Sequence, residues 1–181
     1  MSALSARYLS QGILARPEVR RRLPLLAAGL GMALIALASA GPPQLLINHT
    51  PSEPLGPYWR IPGGPVVGAL IAFPAPAAAF PYADRRLSYL RRELMLKAVG
   101  AGPGDRVCTV GTILTINDVV RATIADRDGQ GALLPRWRAC RRLQSGELFV
   151  FSNRVPNAFD SRYFGPISDR SVAGVYRRLG G

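Results

Sequence analysis

At 181 residues the chain has room for one domain and an anchor, and its apolar fraction of 48% is ordinary for a globular protein. A net charge of +12 invites a nucleic-acid reading, but the arginines are scattered rather than striped and no aromatic RNA-reading signature accompanies them, so attraction to anionic lipid head groups is the plainer expectation and no specific nucleic acid is expected. The only histidine, His49, and two cysteines 32 positions apart leave no ligand set for a zinc site of the usual kind, and neither a metal nor a cofactor is expected.

The N-terminal segment sets Arg16, Arg20, Arg21 and Arg22 against Glu18 alone, then runs into LPLLAAGLGMALIALASA, Leu23 to Ala40, with no charge. A helix of that length spans about 27 Å, close to the hydrocarbon thickness of a bilayer. Residues 23–43 are therefore expected to form a single transmembrane anchor. The positive-inside rule makes residues 1–22 a cytoplasmic basic tail and carries residues 44–181 across the inner membrane, into the periplasm of a bacterium. The other reading is a cleaved signal peptide, for which Ala38-Ser39-Ala40 offers a small-x-small site. Both place the remainder outside the cytoplasm, where Cys108 and Cys140 are candidates for a disulfide, with two buried thiols as the alternative.

Beyond the apolar run, short apolar segments are broken by Gly, Pro and Asn. LIAF (70–73), LMLKAVG (94–100), RVCTV (106–110), TILTI (112–116) and ELFVFS (147–152) read as strands, and Asn117-Asp118 between β-rich runs reads as a hairpin turn. FPAPAAAFP (73–81) reads as a linker or surface loop. YADRRLSYLRREL (82–94) sets Leu87, Leu90 and Leu94 at helical spacing and predicts one short inserted helix. The fold class is thus mainly β, a small folded sheet or barrel.

The chain uses 22 arginines and a single lysine, Lys97. Where only positive charge matters this composition has used Arg, whereas a desolvated Lys, unlike Arg, can lose its proton and act as a base. A strand lysine that snorkels to solvent is the bland alternative. Other catalytic pairings fail. His49 lies three residues before Ser52 on a stiff segment and points to the opposite face when that segment is extended, and Asp126 and Asp128 sit in a DRDGQG turn. Ser52 with Lys97 is the nucleophile and base that survive, a known variant of triad logic.

Three segments, TPSEPLGPYW, LKAVGAGPGD and NAFDSRYFGPI, resemble in order and approximate spacing the boxes of the signal peptidase family of Ser-Lys enzymes. Within it the likeness is to the TraF-type conjugative transfer peptidases, to which Glu53 in place of the usual methionine and the lack of a large inserted β-domain both point. The resemblance implies a membrane-anchored endopeptidase that processes a pilin-like or secreted precursor. It implies Ser52 as nucleophile, Lys97 as base, Thr50 as a hydroxyl assisting the oxyanion, and Asp160 with Arg162 as a brace behind the lysine. Ala158 departs from the pattern: many relatives carry there a serine that orients the lysine, and Asn157 or Ser161 is a candidate replacement. A general leader peptidase and a catalytically silent β-domain that binds pilin or secretion partners are the alternatives.

Overall fold

The structure, a computed structural model, describes residues 41–180. The expected tail, and the expected anchor except its last three residues, lie outside the described residues. Among those described, no helix is long and apolar enough to cross a membrane.

Eleven short strands and a few single helical turns make up the domain. In chain order these are β1 (Leu45–Asn48), β2 (Gly56–Ile61), β3 (Leu70–Pro74), α1 (Tyr82–Arg86), β4 (Leu94–Ala101), β5 (Arg106–Val110) and β6 (Ile113–Ile116). Then follow β7 (Val119–Thr123), β8 (Cys140–Arg142), β9 (Glu147–Val150), α2 (Ser161–Phe164), β10 (Ile167–Ser168) and β11 (Gly174–Arg178). They form two antiparallel sheets, ordered β1-β2-β11-β3-β4-β9-β10 and β7-β6-β5-β8. The mainly β expectation therefore holds for the described residues.

The period-2 rule explains how the larger sheet buries both faces. Along β4, Met95, Val99 and Ala101 join the main core with Ile71 and Phe73 of β3 and Val175 of β11. Leu96 points the other way and packs with Tyr58, Ala72 and Tyr176 in a second, smaller cluster. Lys97 has the same parity as Met95 and Val99, so its amine is carried toward the main core rather than to solvent. It is 5% exposed, against the snorkelling alternative.

The β4–β9 register shifts between Val99 and Ala101. Gly100 occupies that irregularity, and a Cβ there would overlap the Phe151 ring. The Asn117-Asp118 turn is as expected: both residues have positive φ, 51° and 64°, as a two-residue type I′ hairpin requires. Cys108 and Cys140 face each other across β5 and β8 and form a disulfide.

The inserted helix needs correction. The segment 82–94 is not one helix: α1 ends at Arg86, Leu87 leaves helical geometry at φ −139°, and Ser88–Arg91 forms a 3-10 turn before β4 begins. The leucine spacing is satisfied by these two turns, with Leu90 buried and Leu87 packed on the core. Five residues are too few for a helix to persist on its own, and tertiary packing decides where it breaks. The preceding alanine-rich stretch is a loop containing a 3-10 turn at Ala77–Ala79, of which Ala79 is fully buried.

Candidate active site

The loop from β1 to β2 carries the serine, and Asn48 shapes it. The Asn48 side-chain amide donates to the carbonyls of Thr50 (2.9 Å), Glu53 (2.9 Å) and Pro54 (3.0 Å), while its oxygen accepts from Thr50 N (3.2 Å) and Thr50 Oγ1 (3.0 Å). One buried side chain thus replaces the backbone partners that a Pro-flanked turn lacks. Tyr58 OH donates to Pro54 O at 2.7 Å and fixes the far end of the loop.

Held this way, Ser52 is 5% exposed and its Oγ shares a hydrogen bond with Lys97 Nζ from β4. The two residues are 45 positions apart in sequence. Thr50 Oγ1 lies 3.4 Å from Ser52 Oγ. Burial pushes the Lys97 amine below its ordinary pKa; the charges of Asp160 and Glu53 oppose that shift and Arg162 reinforces it. Desolvation prevails because the ammonium loses its water and gains no carboxylate of its own.

Behind the lysine, Asp160 and Arg162 form a buried fork. Arg162 Nε donates to Asp160 Oδ1 (2.8 Å) and Nη2 to Oδ2 (2.7 Å), with exposures of 0% for Asp160 and 1% for Arg162. Asp160 also caps α2 by accepting from Arg162 N at 3.1 Å. The guanidinium continues to the carbonyls of Ser152 (2.9 Å), Ala158 (3.1 Å) and Thr123 (2.9 Å), so every face of the pair has a partner.

Ser152 joins this fork to the serine loop. Its N–H donates to Asp160 Oδ2 at 3.1 Å, and its hydroxyl donates to the backbone carbonyl of Ser52 across a separation of 100 residues. Ser52, Lys97, Thr50, Asp160 and Arg162 are therefore brought together in one connected network. Ser161 is buried nearby, but its hydroxyl accepts from Val150 N at 3.0 Å, which makes it a strand anchor. Asn157 lies against Gly129. Neither is the lysine's partner; Ser52 is. His49 is exposed.

Asn48 and Ser152 were not among the residues anticipated from sequence. Asn48 had a local signal, since an Asn two residues before a Thr-Pro-Ser turn is a good Asx-turn candidate. Ser152 had none, because its role depends on a partner one hundred positions away.

A family model described as "Signal peptidase, peptidase S26" matches residues 32–179. The chain belongs to that family. Its relatives include the "Conjugal transfer protein TraF" of Agrobacterium tumefaciens (strain 15955), 36% identical over 163 residues that cover 83% of this chain and 89% of the relative. The "Plasmid transfer protein TraF" of Escherichia coli is 28% identical over 169 residues, covering 87% and 95%. A signal peptidase I from Enterococcus faecalis V583 has a solved structure 23% identical in sequence, covering 62% of this chain and 97% of that one, with a TM-score of 0.39. Membership of peptidase S26 and the kinship with conjugal transfer proteins support a peptidase-like role in conjugation.

Proposed function

We propose that the protein is a membrane-anchored serine endopeptidase with a Ser52–Lys97 dyad, which processes a pilin-like or secreted precursor during conjugative transfer. The observation that carries this reading is the hydrogen bond between two buried side chains, a serine hydroxyl and the only lysine of the chain. The neutral amine, favoured by burial, takes the Ser52 proton as Oγ attacks the scissile carbonyl. The resulting ammonium returns that proton to the leaving amine, and water or an incoming amine then releases the acyl group. Thr50, whose Oγ1 lies 3.4 Å from Ser52 Oγ, is the side-chain hydroxyl nearest to hand for the developing oxyanion, which it serves by turning its proton from Asn48 Oδ1. The Asp160–Arg162 fork acts by support: through Ser152 it fixes the carbonyl of Ser52 and the floor under Lys97. With the anchor in the inner membrane and the domain in the periplasm, the precursor is cut outside the cytoplasm.

The test is mass spectrometry of a co-expressed conjugative pilin precursor with the wild type, Ser52→Ala and Lys97→Arg. Removal of a terminal peptide by the wild type alone is the expected result, and loss of one further water would report ring closure. Lys97→Arg is expected to fold and be inactive, since it keeps the charge and abolishes the basicity. Turnover by that variant would end the dyad reading. An intact pilin precursor alongside cleaved secretory preproteins would favour a general leader peptidase.

A further inference from the structure

Two segments that the Ser-Lys site does not use, α1 and the DRDGQG turn between β7 and β8, enclose a cavity of about 560 Å3. It is lined by Tyr82, Arg85, Arg86, Arg127, Ala132 and Leu133, none of which belongs to the Ser52–Lys97 network. The two segments are fastened together: Tyr82 OH donates to Asp128 Oδ2 at 2.9 Å, and Arg86 Nη1 donates to Gln130 Oε1 at 3.0 Å. The turn is also closed on itself. Asp128 Oδ1 accepts from Gln130 N and Ala132 N, both at 2.9 Å, and Arg127 Nη1 donates to Gly131 O at 2.7 Å. The buried Tyr82 ring is packed on Phe159, with 5.0 Å between centroids. The cavity is therefore a built feature of the fold.

Its charge is one-sided. Three arginines line it, and the acids beside them in sequence are engaged elsewhere: Asp84 is forked by Arg91, at 2.6 and 2.7 Å, and Asp126 is bonded to Arg136. Asp128 is the carboxylate that remains, and besides its bonds to Tyr82 and the turn it lies 3.7 Å from Arg86 Nε. Among the described residues neither Arg85 nor Arg127 has an ion pair, and the Arg85 side chain makes no hydrogen bond. Like charges around one cavity repel, and an anion placed between them reverses the sign of that interaction. The rest of the wall is apolar, with Leu133 67% exposed at its rim.

We propose that this cavity is a docking site for an acidic peptide segment in which carboxylates stand beside an apolar side chain. The guanidinium forks take the carboxylates in paired hydrogen bonds, and Leu133 takes the apolar neighbour. A bare phosphate would use the arginines and leave the leucine in water. The volume falls within the range of about 300–1,000 Å3 usual for ligand pockets, which suits a few residues of extended chain and not a folded surface.

The probe is a short fluorescent peptide that alternates glutamate with leucine, titrated against the full-length Ser52→Ala chain in neutral detergent micelles and read by anisotropy. The expected result is saturable binding, weakened about tenfold or more by Arg85→Gln and by Arg127→Gln, and less by Leu133→Ser. Arg170→Gln, which removes the same charge from an exposed position outside the cavity, should leave binding unchanged, and a peptide with glutamine for glutamate should not bind. Arg85→Gln breaks no side-chain hydrogen bond, so a loss of binding in that variant cannot be laid to misfolding. Equal weakening by Arg170→Gln would reduce the effect to net charge and overturn the site. Absence of peptide binding would overturn it too, and vesicles containing phosphatidylglycerol that then bound the wild type but not Arg85→Gln would assign the cavity to lipid head groups instead. No outcome depends on precursor cleavage, so the dyad reading stands or falls separately.

Discussion

Asp160→Asn is the substitution that most sharply separates a brace from a proton carrier. Asparagine keeps one oxygen, enough for either Arg162 Nε or Ser152 N, but it presents an NH2 group where the carboxylate had a second acceptor. In the fork this sets donor against donor, and it leaves the guanidinium of Arg162 buried without its counter-charge. Breaking a buried ion pair from one side costs about 3–5 kcal/mol. With Asp160 at 0% and Arg162 at 1% exposure, no solvent relieves that cost, so the full range applies. Each kcal/mol moves the midpoint of a domain of this size by about 3–5 °C, so thermal unfolding should fall by about 9–25 °C. Precursor cleavage should fall with it, through loss of the Ser152 contact to Ser52. The assay is calorimetry beside a cleavage time course well below the lowered midpoint. A variant that loses cleavage while unfolding at the wild-type temperature would refute the reasoning, because Asp160 would then act on the chemistry.

Three further outcomes can be checked with the same preparations. Gly100→Ala places a methyl group in the Phe151 ring and should destabilise by about 1–3 kcal/mol; Phe151→Leu in the same chain should recover part of this, read as a coupling energy in a double-mutant cycle. Replacing Cys108 and Cys140 by serine opens a loop with a sequence separation of 32, which on chain-entropy grounds costs about 3–4 kcal/mol and should appear as a midpoint sensitive to reductant only in the wild type. The third concerns pH. Lys97 has a folded-state pKa below its unfolded value of about 10.4, so between the two the unfolded chain binds the proton and the folded chain does not. The contribution of Lys97 to stability therefore rises as pH climbs through that window, and Lys97→Met should abolish the rise. Urea titrations of both proteins between pH 7 and 9.5 measure this as a narrowing difference; a difference independent of pH would contradict it.

Much of the site was legible because its chemistry is compositional. A lone lysine among arginines, set in an apolar strand, needs no structure to attract notice, and a serine between prolines states its own rigidity. Local geometry was legible too: positive φ at Asn117 and Asp118 is what an Asn-Asp pair between β-rich runs implies. What escaped depends on pairing over long distances. Nothing near residue 152 predicts that its hydroxyl reaches the carbonyl of Ser52, and nothing near Gly100 announces the ring of Phe151. The segment 82–94 failed for a different reason. Leucines three and four apart mark one buried side equally well in a single helix and in two short turns, and only the packing of Leu87 and Leu90 distinguishes them.

A buried amine that shares its surroundings with a buried carboxylate would ordinarily stay an ammonium, and an unpaired Asp160 would hold Lys97 in that form. The fork resolves it. Both Asp160 oxygens face Arg162, whose charge counters that of the carboxylate at Lys97, and the guanidinium is in turn fastened to three backbone carbonyls and cannot swing away. Desolvation of the amine can then prevail, because the charge of Asp160 is countered by a cation that never loses its proton. Arg162 therefore adds to the effect of burial on the Lys97 amine, although burial remains the larger of the two. The same logic explains why an acid can stand next to the serine. Glu53 is half-buried, and the charges of Lys97 and Arg154 favour its carboxylate against the burial that opposes it. Burial is what loosens the proton of the single lysine, and the fixed charge of Arg162 works in the same direction.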